Sequence, residues 1–185
     1  MGCVFCATGQ MGFSRQLTAA EIFEQAQKFS AELKADTSGT KRLSNIVMMG
    51  MGEPLANYDN VLAAVRRINT ELGIGARHIT ISTVGLAPRI RKLADEDLQV
   101  GLAVSLHQAN DANRSKLMPV NNRYPISELL DSCKYYISKT NRRISFEWAL
   151  IRNETDTVDV AHELGRLLQG MLCHVNVIPL NPTGI

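Results

Sequence analysis

The feature that most constrains the fold is the alternation, along the whole chain, of short apolar runs with segments of helical periodicity. The predicted strands cover residues 46–49, 78–82, 100–106, 144–151 and 175–179, and the predicted helices cover residues 18–35, 58–72, 86–94, 127–138 and 155–169. Thr18 and Glu21 have the spacing of a capping box at the first long helix. Strands that alternate with helices indicate an α/β fold with a parallel sheet and right-handed crossovers. Periodicity alone leaves a partial barrel and a doubly wound sheet both open.

Composition narrows the class of protein without identifying a partner. The chain has 185 residues, 45% of them hydrophobic and 21% charged, which suits one globular domain with a real core. The formal net charge of +2 is too small to indicate nucleic-acid binding by itself. No apolar run is long enough to cross a membrane, and the opening residues lack the pattern of a secretory signal. We therefore expect a cytoplasmic, monomeric protein without membrane contact.

Two of the four cysteines, Cys3 and Cys6, form a CxxC pair, whereas Cys133 and Cys173 stand alone. In the absence of a secretory signal a disulfide framework is not expected, and a cytosolic CxxC is more often a metal, cluster or redox pair. A zinc site would need two further ligands, for which Cys173 and His174 are candidates by residue type only. Cys133 is expected in the core or on a helix surface.

Polar and Gly-rich motifs follow the predicted strands or precede the first long helix. They cover residues 2–9, 50–54, 82–85, 105–107 and 181–182. Because the carboxyl ends of parallel strands share one edge, we expect the motifs to converge on one rim. Each also has a structural interpretation. Gly-Glu-Pro could be a turn, Ser82 a partner for backbone amides, His107 a strand-end residue bonded to its neighbours, and Asn181 part of a turn before proline.

Together these motifs resemble those of the radical S-adenosylmethionine (SAM) enzymes. The run Cys-Val-Phe-Cys-Ala-Thr-Gly at 3–9 and the Gly-Glu-Pro at 52–54 carry the resemblance. Ser-Leu-His at 105–107, Met-Pro-Val-Asn-Asn at 118–122, Ser-Phe-Glu at 145–147 and Ile-Pro-Leu-Asn-Pro at 178–182 make the chain similar, over nearly its whole length, to the methyltransferases of adenine C2 in 23S rRNA and tRNA. The resemblance implies that residues 1–185 are a radical SAM core domain, a (β/α)6 barrel that is incomplete because its first strand is missing.

The resemblance also implies the roles of individual residues. In that superfamily three cysteines spaced C-x3-C-x2-C hold a [4Fe–4S] cluster, and the remaining iron site binds SAM. Cys3 and Cys6 match the second and third cluster ligands, and Phe5 matches the aromatic residue beside cluster and SAM. The residues that match SAM contacts are Gly52, Glu53, Ser82, Ser105, Leu106, His107 and Asn181. Glycine allows close approach of a ligand, a carboxylate accepts from an ammonium group, and Ser, His and Asn form hydrogen bonds.

Some parts that the resemblance implies have no counterpart in residues 1–185. The first cluster cysteine would lie two residues before Met1, and the N-terminal accessory domain is absent. The distal cysteine that carries the methyl group is also absent, since Cys133 and Cys173 do not match its position, and no catalytic residue is assigned. We therefore expect a core fragment that does not transfer methyl groups by itself.

The function implied for the parent enzyme is methylation of adenine C2 in 23S rRNA, with tRNA as a second substrate. It would require SAM, the cluster and an electron donor for the cluster. Adenine C2 is not nucleophilic, so polar methyl transfer cannot serve, and the cofactor must supply the difficult chemistry. Two alternatives stay open: a different radical SAM reaction, such as methylation of adenine C8, and a non-catalytic remnant that binds SAM or RNA.

A basic segment follows the third predicted strand. Residues 108–125 are predicted to form a long loop at the mouth of the site, where RNA would enter. We expect Arg114, Lys116 and Arg123 in this loop to bind RNA phosphates.

Overall fold

A five-stranded parallel sheet forms the centre of the fold. The computed structural model of the chain describes residues 1–35 and 41–180. Its strands are β1 Ile46–Met48, β2 Ile79–Thr83, β3 Gly101–Ser105, β4 Ile144–Leu150 and β5 Cys173–Pro179. Each strand pairs in parallel with the next. The predicted α/β class and all five predicted strands are confirmed.

The order of the strands distinguishes between the two architectures that periodicity left open. The described sheet runs β1-β2-β3-β4-β5, in sequence order, without a reversal. Right-handed crossovers between strands in such an order place their helices on the same face, whereas a doubly wound sheet reverses direction at a switch point. The sheet is therefore of the barrel type, and the crossover helices between its described strands lie on one face.

The helices occupy the segments where they are predicted, with three differences. The described helices are α1 Ala7–Gln10, α2 Ala19–Ala35, α3 Tyr58–Glu71, α4 Ala87–Ala94, α5 Asp111–Leu117, α6 Ile126–Thr140 and α7 Val158–Leu167. The capping box of α2 is present, because Glu21 N–H donates to Thr18 Oγ1 and Thr18 N–H donates to Glu21 Oε2. None of the helices in the described ranges is long and apolar enough to cross a membrane.

The first two differences are the short helices α1 and α5, which periodicity does not reveal. The predicted loop 108–125 contains α5 and the 3-10 helix Pro119–Asn122. The Asn110 side chain caps α5 by accepting from Asn113 N–H at 3.0 Å. Like α1, this helix is too short for its apolar spacing to form a recognisable pattern.

The third difference is the start of α7, which is capped by Thr157 and begins at Val158, whereas the predicted helix begins at residue 155. The Thr155 hydroxyl donates to the carbonyl of Ala149 and accepts from Ile151 N–H, so it closes the turn after β4 instead.

The two faces of the sheet differ in chemistry. In the central strands the residues that point to the helices are mostly apolar and buried, as in the aligned rows of Ile81 with Leu102 and of Val104 with Phe146. Side chains alternate between faces, so the residues between them point to the open face. That face carries Ser82 on β2, Ser105 on β3 and, at the same level as Ser105, Glu147 on β4. The apolar face holds the core, and the polar face brings Ser82, Ser105 and Glu147 together near the strand ends, with Ser82 and Glu147 buried.

Tyr136 provides a test of the core. Its side chain is 0% exposed, and its hydroxyl donates to the carbonyl of Val100 at 2.8 Å, which joins α6 to the start of β3. Substitution Tyr136→Phe leaves that carbonyl without this donor and should lower the free energy of unfolding by about 1 kcal/mol. Urea denaturation followed by circular dichroism measures the change.

The matched control is Tyr135→Phe on the same helix, where the hydroxyl donates to Asp95 in an exposed pair. That change should cost under about 0.5 kcal/mol. Equal losses for the two substitutions would contradict the assigned role of the Val100 contact.

Candidate functional site

The two N-terminal cysteines lie on one tight segment, residues 3–9, named here the cysteine turn. Cys6 N–H donates to the Cys3 carbonyl at 3.2 Å, and Gly9 N–H donates to Cys6 Sγ at 3.4 Å. A side chain at Gly9 would meet the Cys3 carbonyl at 3.3 Å, so the close turn favours glycine there. Cys3 is buried and Cys6 is half-buried. Burial and the neighbouring Cys6 raise the pKa of Cys3.

The cysteine turn packs against the carboxyl-end rim of the sheet. The Phe5 ring meets the His107 ring edge to face, with centroids 4.8 Å apart. Cys3 forms a small apolar cluster with Leu117 and Met118, and Phe5 and Cys6 pack at the edge of that cluster. The cysteines and the end of β3 are therefore brought together.

His107 is buried just beyond β3 in a left-handed backbone conformation, with φ of 56°. Its Nδ1 accepts a hydrogen bond from Ala149 N–H at 2.9 Å, which leaves the ring proton on Nε2. Burial, and secondarily the charge of Arg114, lowers the pKa of His107 to about 4. The imidazole is therefore a neutral Nε2–H donor at neutral pH.

Glu53 is held by backbone amides from two sides of the rim. Its Oε1 accepts from Leu55 N–H at 3.0 Å, and its Oε2 accepts from Val84 N–H at 2.8 Å. Burial raises the pKa of Glu53, while hydrogen bonds from Val84, Thr83 and Leu55 oppose that shift. Gly52, directly before it, has φ of +112° and open space where a side chain would lie. The segment therefore presents a fixed carboxylate beside accessible backbone.

The remaining residues with a predicted SAM contact differ in whether their side chains can form hydrogen bonds to a ligand. Ser82 and Ser105 lie on the open face near the ends of β2 and β3. Leu106 is fully buried in the main core, its N–H donates to the Glu147 carbonyl, and its carbonyl accepts from Gln108 N–H and Arg114 Nε. Leu106 thus acts by placing Ser105 and His107. Asn181 lies outside the described residues.

The prediction that Arg114 binds RNA phosphates is wrong. Its side chain is 0% exposed, and its guanidinium donates to three backbone carbonyls and to Asn121. Burial lowers its pKa to about 10, so the group stays charged at neutral pH. Lys116 and Arg123 are exposed and remain predicted phosphate contacts.

The two thiols of the cysteine turn fit a thiolate-bound cluster, and the candidate zinc ligands Cys173 and His174 do not join them. Two thiols share one turn, and one already accepts an N–H···S bond of the kind that surrounds iron–sulfur clusters. Cys173 and His174, the candidate zinc ligands, lie at the start of β5, and the His174 ring bonds to Ser145. That is the opposite end of the sheet from the cysteine turn. Over the described ranges no three His, Cys, Asp or Glu side chains are grouped to hold a metal ion.

A cavity of about 810 Å³ also lies at the amino end of the strands. Its polar lining includes Arg77, Arg142, Arg143, Ser145 and His174. None of the residues predicted to bind the cluster or SAM contributes to it.

Some supporting residues of the rim have no local sequence signal. Thr83 bonds to the Glu53 carboxylate, and Asn121 bonds to the Arg114 guanidinium. Asn121 belongs to the Met-Pro-Val-Asn-Asn motif, but the motif alone does not reveal its partner, because the two residues meet only when the chain folds.

Comparison with known proteins agrees with this geometry. The profile of the Radical SAM superfamily matches residues 1–164. The chain is 56% identical over 185 residues to "Dual-specificity RNA methyltransferase RlmN 1" of Myxococcus xanthus, covering 99% of this chain and 51% of that protein. It is 52% identical over 186 residues to "Probable dual-specificity RNA methyltransferase RlmN" of Clostridium perfringens, covering 98% and 51%. The chain spans about half the length of these curated relatives.

Solved structures that match this chain also have the radical SAM fold. The crystal structure of a radical SAM methyltransferase from Sphaerobacter thermophilus matches with a TM-score of 0.95 and 50% identity, over 100% of this chain and 54% of that one. Streptococcus suis SuiB bound to S-adenosylmethionine matches with a TM-score of 0.63 at 17% identity, over 98% of this chain and 36% of that one, which shows a shared fold only. Members of the Radical SAM superfamily use a [4Fe–4S] cluster and SAM. With a superfamily profile matching most of its length and a partial radical SAM fold, the chain belongs to the radical SAM superfamily.

Proposed function

We propose that this chain is the core of a radical SAM enzyme that methylates adenine C2 of 23S rRNA, with tRNA as a second substrate. The observation that supports this most directly is the cysteine turn packed through Phe5 onto His107, at the rim where Glu53 is also fixed. Relatives at 52–58% identity that are named as dual-specificity RNA methyltransferases favour RNA as the substrate.

Cys3 and Cys6 would supply two thiolate ligands to the cluster. When bound, the cluster and SAM supply the one-electron chemistry that an unreactive carbon requires. The packing of Cys3 against Leu117 and Met118 shields that side of the turn from water. The protein's part is to hold the thiolates, orient SAM and exclude solvent.

Glu53 is the group best suited to the ammonium of SAM. The carboxylate accepts from Leu55 N–H, from Val84 N–H and from the Thr83 hydroxyl, which uses three of its four acceptor positions and leaves one for a further donor. An ammonium beside the buried carboxylate would compensate the cost of its burial, because a paired charge tolerates low dielectric better than an isolated one. His107 adds a neutral donor, which suits a ribose or carboxylate oxygen.

The wider setting of the enzyme follows from this proposal. An rRNA substrate places the protein in the cytoplasm, where an external electron donor would reduce the cluster of a monomeric enzyme. Lys116 and Arg123 are exposed and would contact RNA phosphates at the mouth of the site.

The first test concerns the cluster. In a version extended to carry a cysteine two residues before Met1, Cys3→Ala and Cys6→Ala should each abolish stable [4Fe–4S] assembly, because each removes one of three thiolates. Anaerobic reconstitution, followed by iron and sulfide analysis and electron paramagnetic resonance, measures the outcome.

The matched control is Cys133→Ala, since Cys133 is buried in the main core away from the turn. Full iron loading in Cys3→Ala or Cys6→Ala would contradict the assignment. Methylation of RNA by the 185-residue chain alone, which carries two of the three ligands, would contradict the requirement for the third cysteine.

The second test concerns SAM. In the reconstituted protein, Glu53→Gln replaces an acceptor oxygen with an amide NH2 and removes the charge, which should weaken SAM binding by about 10- to 100-fold. Isothermal titration calorimetry measures the affinity. Glu71→Gln, in an exposed pair with Arg67 on α3, is the control and should leave it unchanged. Unchanged affinity in Glu53→Gln would remove Glu53 from the site.

The third test uses the titration of His107. The folded-state pKa of about 4 lies below the ordinary 6.5, so the unfolded chain takes up this proton first as the pH falls. The contribution of the neutral ring to the free energy of unfolding is complete above about pH 6.5. It is lost as the pH falls from about 6.5 to 4, and the total loss is about 3 kcal/mol. Urea denaturation across that range measures the slope.

The matched variant is His107→Asn, which tolerates the left-handed backbone and can accept from Ala149 N–H without titrating. Its stability should depend less on pH over the same range. Identical slopes in the two proteins would show that the ring does not resist protonation.

A further inference from the structure

Arg114 is a buried cation, and no carboxylate among residues 1–35 and 41–180 is in direct contact with it. Its Nε donates to the Leu106 carbonyl at 3.1 Å, one terminal nitrogen donates to Val84 and Ser105 carbonyls at 2.9 and 3.0 Å, and the other donates to Asn121 Oδ1 at 2.8 Å. A buried charge is retained only where hydrogen bonds replace its hydration. Four such bonds at one guanidinium therefore mark a built structural centre.

The carbonyls that Arg114 binds belong to the rim. Ser105 is the last residue of β3, Leu106 follows it, and Val84 follows the last residue of β2. Parallel pairing of these strands ends at Thr83 and Val104, so the carbonyls beyond it need other donors. The planar fork of arginine supplies them from one side chain and holds the two strand ends together.

Asn121 connects this centre to the following helix. Its side-chain nitrogen donates to the carboxylate and the carbonyl of Asp111 and to Ser115 Oγ, while its oxygen accepts from Arg114. The Asp111 carboxylate in turn accepts from Ile126 N–H at 2.8 Å, at the start of α6. The segment between α5 and α6 is thus tied at both ends.

The same segment carries the cysteine turn. Val4 N–H donates to the Leu117 carbonyl at 3.0 Å, and Cys3 packs on Leu117 and Met118. Met118 N–H donates to the Arg114 carbonyl at 2.7 Å, so these contacts continue directly from Arg114. An unbroken series of contacts runs from the strand ends through Arg114 and α5 to Cys3.

We propose that Arg114 and Asn121 are positioning residues that set the cysteine turn against the strand-end rim. Their importance for catalysis rests on the proposed function, in which that turn holds the cluster. Neither residue touches the cofactor in this role; they act through α5 and the Leu117–Met118 contact.

The test is site-resolved alkylation of the unreconstituted 185-residue chain with iodoacetamide at one pH, read by mass spectrometry. Cys3 is 7% exposed and reacts when the turn opens, whereas Cys133 is 0% exposed in the main core and reacts when the domain unfolds. Asn121→Ala, which keeps the arginine, should raise the alkylation rate of Cys3 about tenfold and leave that of Cys133 unchanged. Arg114→Lys, which keeps the charge but not the fork, should do the same.

Tyr136→Phe is the matched control, because it removes one buried hydrogen bond far from the turn and should leave Cys3 protected. The proposal is overturned if Cys3 and Cys133 accelerate together or if neither accelerates. If Arg114→Lys does not fold, Asn121→Ala alone decides. Because no iron or SAM is present, the result does not depend on whether the chain assembles a cluster.

Discussion

Backbone groups at the ends of parallel strands are the constraint on which this site depends. A carbonyl or amide just beyond the last paired residue has lost its partner and, once buried, must find another. Both backbone groups of Val84 find their partners in side chains: its N–H donates to Glu53, and its carbonyl accepts from Arg114. The rim is therefore closed by two charged side chains that come from different parts of the chain.

The cation at the rim is used entirely by hydrogen bonds within the protein. The donors of Arg114 are directed at carbonyls and at Asn121, and its charge is balanced through that amide by Asp111. Glu53 retains acceptor capacity, and His107 is neutral because burial disfavours its protonation. The rim thus offers an anionic acceptor and a neutral donor, a pattern that suits a ligand with an ammonium group and hydroxyl groups.

Much of the fold could be predicted because it depends on local patterns. Alternating apolar and helical segments indicated the five strands, and the Thr18 and Glu21 pair marked the start of α2. The short helix α5 was predicted as loop, since seven residues carry too little periodicity. That error had a functional consequence: a loop arginine is expected to be exposed, whereas the α5 turn directs Arg114 into the interior.

The sequence by itself determined the class of the fold, which motifs carry the chemistry, and that these motifs share one edge of the sheet. The reason is that strands, their order and residue types can be read from local sequence. Only the tertiary structure decided on which face the crossover helices lie and that His107 is a neutral Nε2–H donor. It also decided that Arg114 is buried, with its guanidinium bonded to backbone carbonyls at the strand ends. These properties depend on burial and on partners distant in the chain, such as Ala149 for His107 and Val84 for Arg114. Burial and long-range partners exist only once the strands have paired, which is why no local pattern could predict them.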